Sequence, residues 1–135
     1  MKIKIELTAE QAYAMMDALE LYSRIKMGQI EWVEYILSLD TYDKTLHRPE
    51  YDQKLARQYL EKAKQTIFHY ISPSAYIGIQ GTSERSRVSW DIYQQLRRDM
   101  TVYKHPNPSI EERGKAYDKP FKVSDEPLPT ITITE

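Results

Sequence analysis

The stretch ERSRVSWDIYQQLRRDMTVY, residues 84–103, has the hydrophobic period of an amphipathic helix. Large hydrophobic residues recur every four positions along it, which places them on one face of an α-helix. That stripe consists of Val88, Ile92, Leu96 and Met100. We therefore expect a helix from about Glu84 to Tyr103 whose apolar face is covered by other parts of the chain.

A second amphipathic helix is predicted near the start of the chain. Thr8 and Gln11 match a capping box, in which each side chain satisfies a backbone N–H of the first helical turn. The helix should run over residues 9–26 with a stripe of Ala12, Met15, Met16, Leu19, Tyr22 and Ser23. The helical pattern resumes after Gly28, so either one long helix bends at this glycine or two helices meet there.

A third helix is predicted over residues 50–70, after a polar connection that ends in Pro49. Its apolar residues recur at helical spacing: Leu55, Ala56, Tyr59, Leu60, Ala63, Ile67, Tyr70 and Ile71. The segment around Pro73 should end this helix, because proline lacks the N–H that a helix interior needs.

Both ends of the chain alternate between hydrophobic and polar residues, which is typical of half-buried strands. KIKIEL at 2–7 has this pattern, TITITE at 130–135 repeats it, and FKV at 121–123 is a third short candidate. Five of the seven prolines lie between 106 and 129, so this part should be extended. We therefore predict an α+β fold: an antiparallel bundle of three to four helices with a small antiparallel sheet from the N- and C-terminal strands. Residues 1–105 would form the core, and the Pro-rich segment 106–135 would pack back on the same domain.

The composition is that of one globular domain of 135 residues, 41% hydrophobic and 29% charged. The chain has no cysteine, which excludes disulfides, Cys-ligated zinc, iron–sulfur clusters and cysteine nucleophiles. The net charge of −1 gives no basic excess for binding duplex nucleic acid. No apolar run is long enough to span a bilayer, and the first residues do not resemble a signal peptide. We therefore expect a cytoplasmic protein with no membrane partner.

The sequence GIQGTSERSR, residues 78–87, contains the parts of a phosphate site at the start of the fourth helical stretch. A helix N-terminus presents unpaired N–H groups, glycines admit an anion closely, and arginines hold phosphate bidentately. Aromatic side chains on either side are near enough in sequence to stack a base. The predicted ligand residues are Tyr76, Gly78, Gly81, Thr82, Ser83, Arg85, Arg87 and Trp90.

Two other interpretations of this loop stay open. In the simpler one, Thr82 or Ser83 caps the helix, the glycines shape a turn and the arginines face water. In the other, GIQG is the G-x-x-G clamp of a KH domain, although its two middle residues are Ile and Gln, without a basic side chain. The loop matches neither a Walker motif nor a dinucleotide fingerprint.

A second candidate segment is LYSRIKMGQIEW, residues 21–32, which places aromatic, Met and basic residues around Gly28. This glycine would let a ligand or a partner helix approach closely. Tyr22, Arg24 and Gln29 would then line the site, across a subunit boundary in an oligomer. The alternative is a kink with packing on both sides.

An enzyme is the function class with the least support. His47, His69 and His105 are scattered and have no second ligand at metal-binding spacing, and no G-x-S-x-G motif is present. An enzyme acting on a nucleotide would have to use His69 or His105 as its base. We therefore predict no catalytic residue, no metal and no cofactor.

Two blocks of the sequence resemble small uncharacterised proteins of phages and prophages. The blocks are ALELYSRIKMGQIEWV at 18–33 and SAYIGIQGTSERSRVSWDIYQQLRRDM at 74–100, followed by the Pro-rich tail. Those proteins often show A-L-D-x-Y-S-R-x-x-x-G-Q, then Y-G-I before A-Y-D-I-x-Q-V-x-R. The matching residues here are Tyr22, Ser23, Arg24, Gly28, Gln29, Ile77, Gly78, Ile79, Asp91, Ile92, Tyr93, Gln94 and Arg97.

The resemblance implies a phage or prophage accessory protein. Phage proteins of this size include non-enzymatic sponges, which oligomerise and sequester nucleotide signals of bacterial immunity such as cyclic oligonucleotides and cyclic ADP-ribose isomers. By similarity in kind, we expect a homo-oligomer that sequesters a small phosphorylated, nucleotide-like ligand in the host cytoplasm. The alternative is a protein-interaction module that inhibits or adapts a host protein through a tyrosine-rich face, since the chain has 11 tyrosines and 2 phenylalanines.

Overall fold

Two central helices and two peripheral ones make up the described part of the molecule. The computed structural model describes residues 2–39, 51–109, 114 and 117–134. In these residues the elements are α1 Ala9–Lys26, α2 Trp32–Leu39, α3 Gln53–Ile67, a 3₁₀ turn Ile79–Gly81, and α4 Glu84–Lys104. α1 packs along α4, α2 contacts α1, and α3 contacts α2.

α1 begins and ends where local backbone chemistry favours it. Thr8 and Gln11 form the predicted capping box, and the Thr8 N–H donates to Gln11 Oε1 at 2.9 Å. At the other end Gly28 has a φ of 87°, in the left-handed region that favours glycine. The N–H of Gln29 donates to the Arg24 carbonyl at 2.9 Å, as in a Schellman motif. The alternative left open at Gly28 is therefore settled in favour of two helices.

Small side chains allow α1 and α4 to approach closely. Ser23 and Ser86 are fully buried, and Ser23 Oγ donates to the Ser86 carbonyl at 3.2 Å. Ala12, Leu96 and Met100 form the core cluster between the two helices. Partly buried side chains pack against this cluster: Tyr13, Met15, Met16, Ile131 and Ile133. Leu96 and Met100 are thus confirmed as core positions of the predicted α4 stripe.

α3 lies at the periphery and is shorter than predicted. It begins after Asp52, whose side chain accepts from the Leu55 N–H at 2.9 Å, and it ends at Ile67, three residues earlier than expected. Residue 50, the predicted start, lies outside the described residues. An ion pair of 3.1 Å between Arg57 and Glu34 connects α3 to α2.

The predicted antiparallel sheet is wrong, because the described residues contain no β-strand. Residues 2–7 lie in no helix or turn, and their backbone groups bond to no other described segment. Ile3 and Ile5, which the prediction placed on a covered face, are 74% and 63% exposed. Residues 121–123 and 130–134 likewise lie in no helix or turn and form no backbone pairing with any other described segment. The α+β class is therefore replaced by a helical fold whose described ends form no regular secondary structure.

The C-terminal segment contacts the helices through side chains instead of a sheet edge. Ile131 and Ile133 pack against the α1–α4 core cluster. The Val123 N–H donates to the Asp91 carboxylate at 2.9 Å, where a strand would have offered a carbonyl. Alternating side chains indicate an extended backbone, but a strand also needs a partner edge. Here two helices and one carboxylate take the place of that partner.

Candidate binding site

The loop before α4 is a compact turn that caps the helix. Thr82 Oγ1 donates to the Ile79 carbonyl at 2.7 Å. Ser83 is the N-cap residue, and its Oγ accepts from the Ser86 N–H at 3.4 Å. The interpretation of Ser83 as a cap is therefore confirmed, and both hydroxyls that were assigned to a ligand have partners inside the loop.

The two glycines of this loop do not depend on glycine's conformational freedom. Gly78 has φ −63° and ψ 161°, which any residue adopts, and Gly28 is the glycine with positive φ in the described chain. A Cβ at Gly78 would meet nothing within 4 Å, and one at Gly81 would lie 3.6 Å from the Ile77 Cβ. The backbone at Gly78 is thus open to an approaching molecule.

Arg87 is engaged by the loop itself. Its guanidinium donates to the Glu84 carboxylate at 2.7 and 3.1 Å and to the Thr82 carbonyl at 2.8 Å. A longer bond of 3.4 Å reaches the Gln80 carbonyl. These bonds hold the loop against the first turn of α4, and a phosphate would have to compete with the Glu84 carboxylate for this side chain.

Arg85 has the opposite environment. It is exposed, and its guanidinium makes no hydrogen bond or ion pair with any described residue. Of the two arginines predicted to hold phosphate, Arg85 is therefore the one whose charge is available to a ligand.

The start of α4 already has an acidic side chain at its positive end. Glu84 Oε1 accepts from the Asp125 N–H at 2.8 Å, while Oε2 accepts from Arg87. The Asp125 N–H, with a smaller contribution from Arg87, lowers the pKa of Glu84 below its ordinary value. A carboxylate therefore occupies the position near the helix N-terminus where the sequence suggested a phosphate.

Asp91 anchors the C-terminal segment on α4. It is 2% exposed, and its carboxylate accepts from the Val123 and Ser124 N–H groups, each at 2.9 Å, and from the Ser124 hydroxyl. Gln80 adds a bond of 3.5 Å to the Val123 carbonyl. Buried carboxylates need such partners, since an unpaired one is strongly disfavoured.

The candidate residues of α1 form a polar and aromatic cluster with α2 and α4. Arg24 donates to Glu20 at 2.8 Å and to Gln29 Oε1 at 2.9 Å. Its guanidinium lies 3.7 Å from the Trp32 ring centroid and 5.5 Å from that of Trp90. We call these five residues the Arg24 cluster. Glu20 neutralises the charge of Arg24, whose side chain is only 21% exposed. The cluster is therefore better suited to connecting α1, α2 and α4 than to binding an anion.

The structure brings the two predicted segments together but separates some of their side chains. The Ile77 N–H donates to the Met27 carbonyl at 2.9 Å, so the loop lies beside the end of α1. The Trp90 and Tyr93 ring centroids are 5.3 Å apart with the planes tilted by 54°, and no ring contact joins Trp90 to Tyr76 in the described chain. Tyr76 is 57% exposed, and Tyr22 lies near Lys26, with 5.8 Å from Nζ to the ring centroid.

Glu20, Glu84 and Asp91 were missed as site residues by sequence reasoning. The sequence did contain a signal for Asp91. This residue lies three positions after Val88, on the core side of α4, and an acidic side chain buried there needs hydrogen-bond partners. Glu20 lies four residues before Arg24, the spacing of a helical ion pair, yet nothing in the sequence indicates that Tyr93 also faces it. Burial and then the charge of Glu20 raise the pKa of Tyr93.

Two shallow depressions of the described surface lie away from these residues. One shallow depression lies along α3 and is lined by Gln53, Lys54, Arg57, Gln58 and Glu61. Another lies at the end of α4 and is lined by Lys104, His105, Pro106, Asn107, Pro108 and Tyr117.

The histidines do not assemble into a site. His69 is exposed and packs its ring edge on Tyr70 at 5.7 Å, His105 follows the last turn of α4, and His47 lies outside the described residues. In the described ranges no group of three His, Asp or Glu side chains could hold a metal ion. None of the described helices is long and apolar enough to cross a membrane.

Comparison of the chain with protein-family models, with curated proteins and with solved structures gave no match.

Proposed function

We propose that this protein is a non-enzymatic accessory protein that binds a partner protein through the outer surface of α3. We define the α3 surface by the exposed large side chains of the helix and its flanks: Tyr51, Leu55, Tyr59, Ile67 and Tyr70. Their exposed fractions range from 40% to 63%. The observation that carries the proposal is that an amphipathic helix leaves most of its large hydrophobic side chains in water.

The energetics of these side chains support a binding role. Burying a large hydrophobic side chain contributes roughly 1.5–3 kcal/mol relative to leaving it exposed. Tyrosines suit such a surface, because the ring packs against a partner while the hydroxyl stays hydrated. Lys62 lies with its Nζ 5.8 Å from the Tyr59 ring centroid, which gives the surface a basic neighbour. A partner with a hydrophobic patch and an acidic rim would complement it.

The position of α3 also supports access by a partner. The helix contacts the rest of the described chain mainly through α2 and the ion pair of Arg57 with Glu34. Its buried residue is Lys64, so docking would not require the α1–α4 pair to open. The resemblance to phage and prophage proteins suggests a host protein as the partner.

The test is a paired set of surface variants on α3. Tyr59→Ser with Ile67→Ser removes hydrophobic area from the α3 surface, whereas Gln58→Ser with Gln65→Ser changes exposed polar positions of the same helix. We expect the tagged wild-type protein and the glutamine variant to retain the same host protein at a stoichiometric ratio. The hydrophobic variant should retain at least about tenfold less, with the melting temperature of the free protein unchanged. Equal capture by both variants would refute the assignment of the α3 surface.

A second candidate function, sequestration of a small phosphorylated ligand by a homo-oligomer, is favoured by Arg85. Its exposed guanidinium has no partner in the described chain, and the backbone at Gly78, earlier in the same loop, is open. Tyr76 is exposed and available to stack a base. Tyr22 could contribute from another subunit, whereas Arg24 and Gln29 are already bonded within the Arg24 cluster.

A thermal-shift panel of cyclic oligonucleotides and cyclic ADP-ribose isomers tests this second candidate. A ligand at about 100 times its Kd adds roughly 2.7 kcal/mol and should raise the melting temperature by about 6–12 °C. Arg85→Ala should abolish the shift without changing the melting temperature of the free protein, whereas Arg87→Ala should lower that temperature. A flat panel would reject nucleotide sequestration.

A further inference from the structure

We infer that residues 2–7 pair in antiparallel orientation with the same segment of a second copy of this chain. Its alternating sequence is that of a strand, it lies in no helix or turn, and its backbone groups bond to no other described segment. In a strand Ile3, Ile5 and Leu7 would share one face, and they are 74%, 63% and 41% exposed. Such a segment offers both unpaired N–H and C=O groups and an uncovered hydrophobic face to another strand.

The junction with α1 is compatible with a strand. Thr8, which directly follows the segment, has φ −70° and ψ 165°, in the extended region. The capping box with Gln11 holds Thr8 at the start of α1. A strand over residues 2–7 would therefore run directly into α1 with no turn between them.

The charges of the segment select one register. In an antiparallel pair, the residue numbers of two directly opposite residues add up to the same value all along the pair, and this sum defines the register. A sum of ten places Lys4 opposite Glu6 of the second copy, and by symmetry Glu6 opposite its Lys4. The same register places Ile5 opposite Ile5, and Ile3 opposite Leu7, so that hydrophobic residues share one face.

The neighbouring registers are disfavoured by like charges or by mixed faces. A sum of eight places Lys4 opposite Lys4, a sum of six places Lys2 opposite Lys4, and a sum of twelve places Glu6 opposite Glu6. Odd sums place hydrophobic residues opposite charged ones. The register with a sum of ten is therefore the one in which charge and hydrophobicity both match.

Lys4 and Glu6 can exchange the ion pair that they form within one chain for ion pairs with the second copy. In the single chain Lys4 Nζ lies 3.0 Å from Glu6 Oε1, with the two side chains 86% and 84% exposed. An exposed ion pair of this kind contributes little to the stability of the chain. Its replacement by two pairs across the dimer axis costs little and fixes the register.

Thiol cross-linking measures the register directly, because the chain has no cysteine of its own. In the inferred ribbon the two Ile5 β-carbons are about 5 Å apart, within reach of a disulfide. The two Ile3 residues are separated by four positions, or about 14 Å, which is too far. Ile5→Cys should therefore form a covalent dimer in a glutathione redox buffer at least tenfold more readily than Ile3→Cys, a control on the same face. Equal cross-linking of the two variants, or none, would overturn the inference.

Charge exchange provides an independent measurement by sedimentation equilibrium. Lys4→Glu alone, or Glu6→Lys alone, should raise the dimer Kd about tenfold, because two matched pairs become like-charge pairs. The double variant Lys4→Glu with Glu6→Lys should restore the wild-type Kd. A wild-type protein that stays monomeric, as expected if the segment pairs with a different protein, or a double variant that stays weakened, would contradict the inference. The α3 surface variants should dimerise normally, so this test is separate from that of the proposed function.

Discussion

α3 and α4 are both amphipathic helices, but α4 buries its core face and α3 leaves large hydrophobic side chains in solvent. The buried residues of α4 are Ser86, Ser89, Asp91, Tyr93, Leu96 and Met100. In α3 the buried residue is Lys64, while Leu55, Tyr59 and Ile67 are 46–62% exposed. A hydrophobic period shows which side of a helix is apolar. Whether that side is covered depends on other segments, and α4 has two of them, α1 and the C-terminal segment.

The largest effect that this comparison predicts is a difference between two leucine truncations. Leu96→Ala in α4 should lower the free energy of unfolding by about 3 kcal/mol, because it removes buried contacts and leaves a cavity. Leu55→Ala, at a site that is 46% exposed, should lower it by less than about 1 kcal/mol. Urea unfolding of the two variants measures the difference. Equal losses would mean that the α3 surface is covered in the folded chain.

A smaller effect is predicted where the C-terminal segment meets α4. Asp91→Ala removes an acceptor and leaves buried donors of Val123 and Ser124 unpaired, which should cost about 2 kcal/mol. Residues 121–134 should then become more accessible to limited proteolysis. Asp118→Ala, at an exposed position, is the control and should change neither stability nor cleavage. Unchanged cleavage in the Asp91 variant would show that the segment is held by its isoleucines alone.

Gly28, in the connection between α1 and α2, should be costly to replace because of its backbone conformation. Gly28→Ala places a Cβ at φ 87°, which should cost about 1 kcal/mol. The new Cβ would lie 3.5 Å from Phe68 and 3.6 Å from Ile71, at ordinary contact distance, so backbone strain is the cause of the cost. Gly78→Ala, at φ −63° with open space around it, should be neutral. Thermal unfolding distinguishes the two, and equal melting temperatures would exclude this role for Gly28.

The smallest predicted effect is on the stability of the folded chain at acid pH. The pKa of Glu84 is lowered in the folded state, so its contribution to stability is complete above its ordinary pKa of 4.5 and is lost as pH falls through the folded value. Glu84→Gln should therefore be less stable than the wild type at neutral pH, and the difference should shrink below about pH 4.5. Thermal unfolding from pH 7 to pH 3 measures this difference. A difference that does not change with pH would show that the carboxylate charge is not involved.

Features that depend on residues close together in the sequence were predicted more accurately than features that depend on distant segments. The bounds of α1 were predicted correctly and those of α4 to within a residue, because caps and periodicity act over a few positions. The site predictions were less complete. Sequence indicated Arg85 and Arg87 equally, but Glu84 and the loop carbonyls engage Arg87, while Arg85 has no partner in the described chain.

By itself, the sequence determined which described segments of this chain are helical. It also determined where α1 starts, directly after its cap Thr8, and the chemistry of the loop before α4. The tertiary structure decided that the described ends form no sheet with each other, that Asp91 binds the C-terminal segment, and that the α3 surface stays exposed. The physical reason is that helix caps and periodicity are local, whereas strand pairing and the burial of a face depend on segments far apart in the chain.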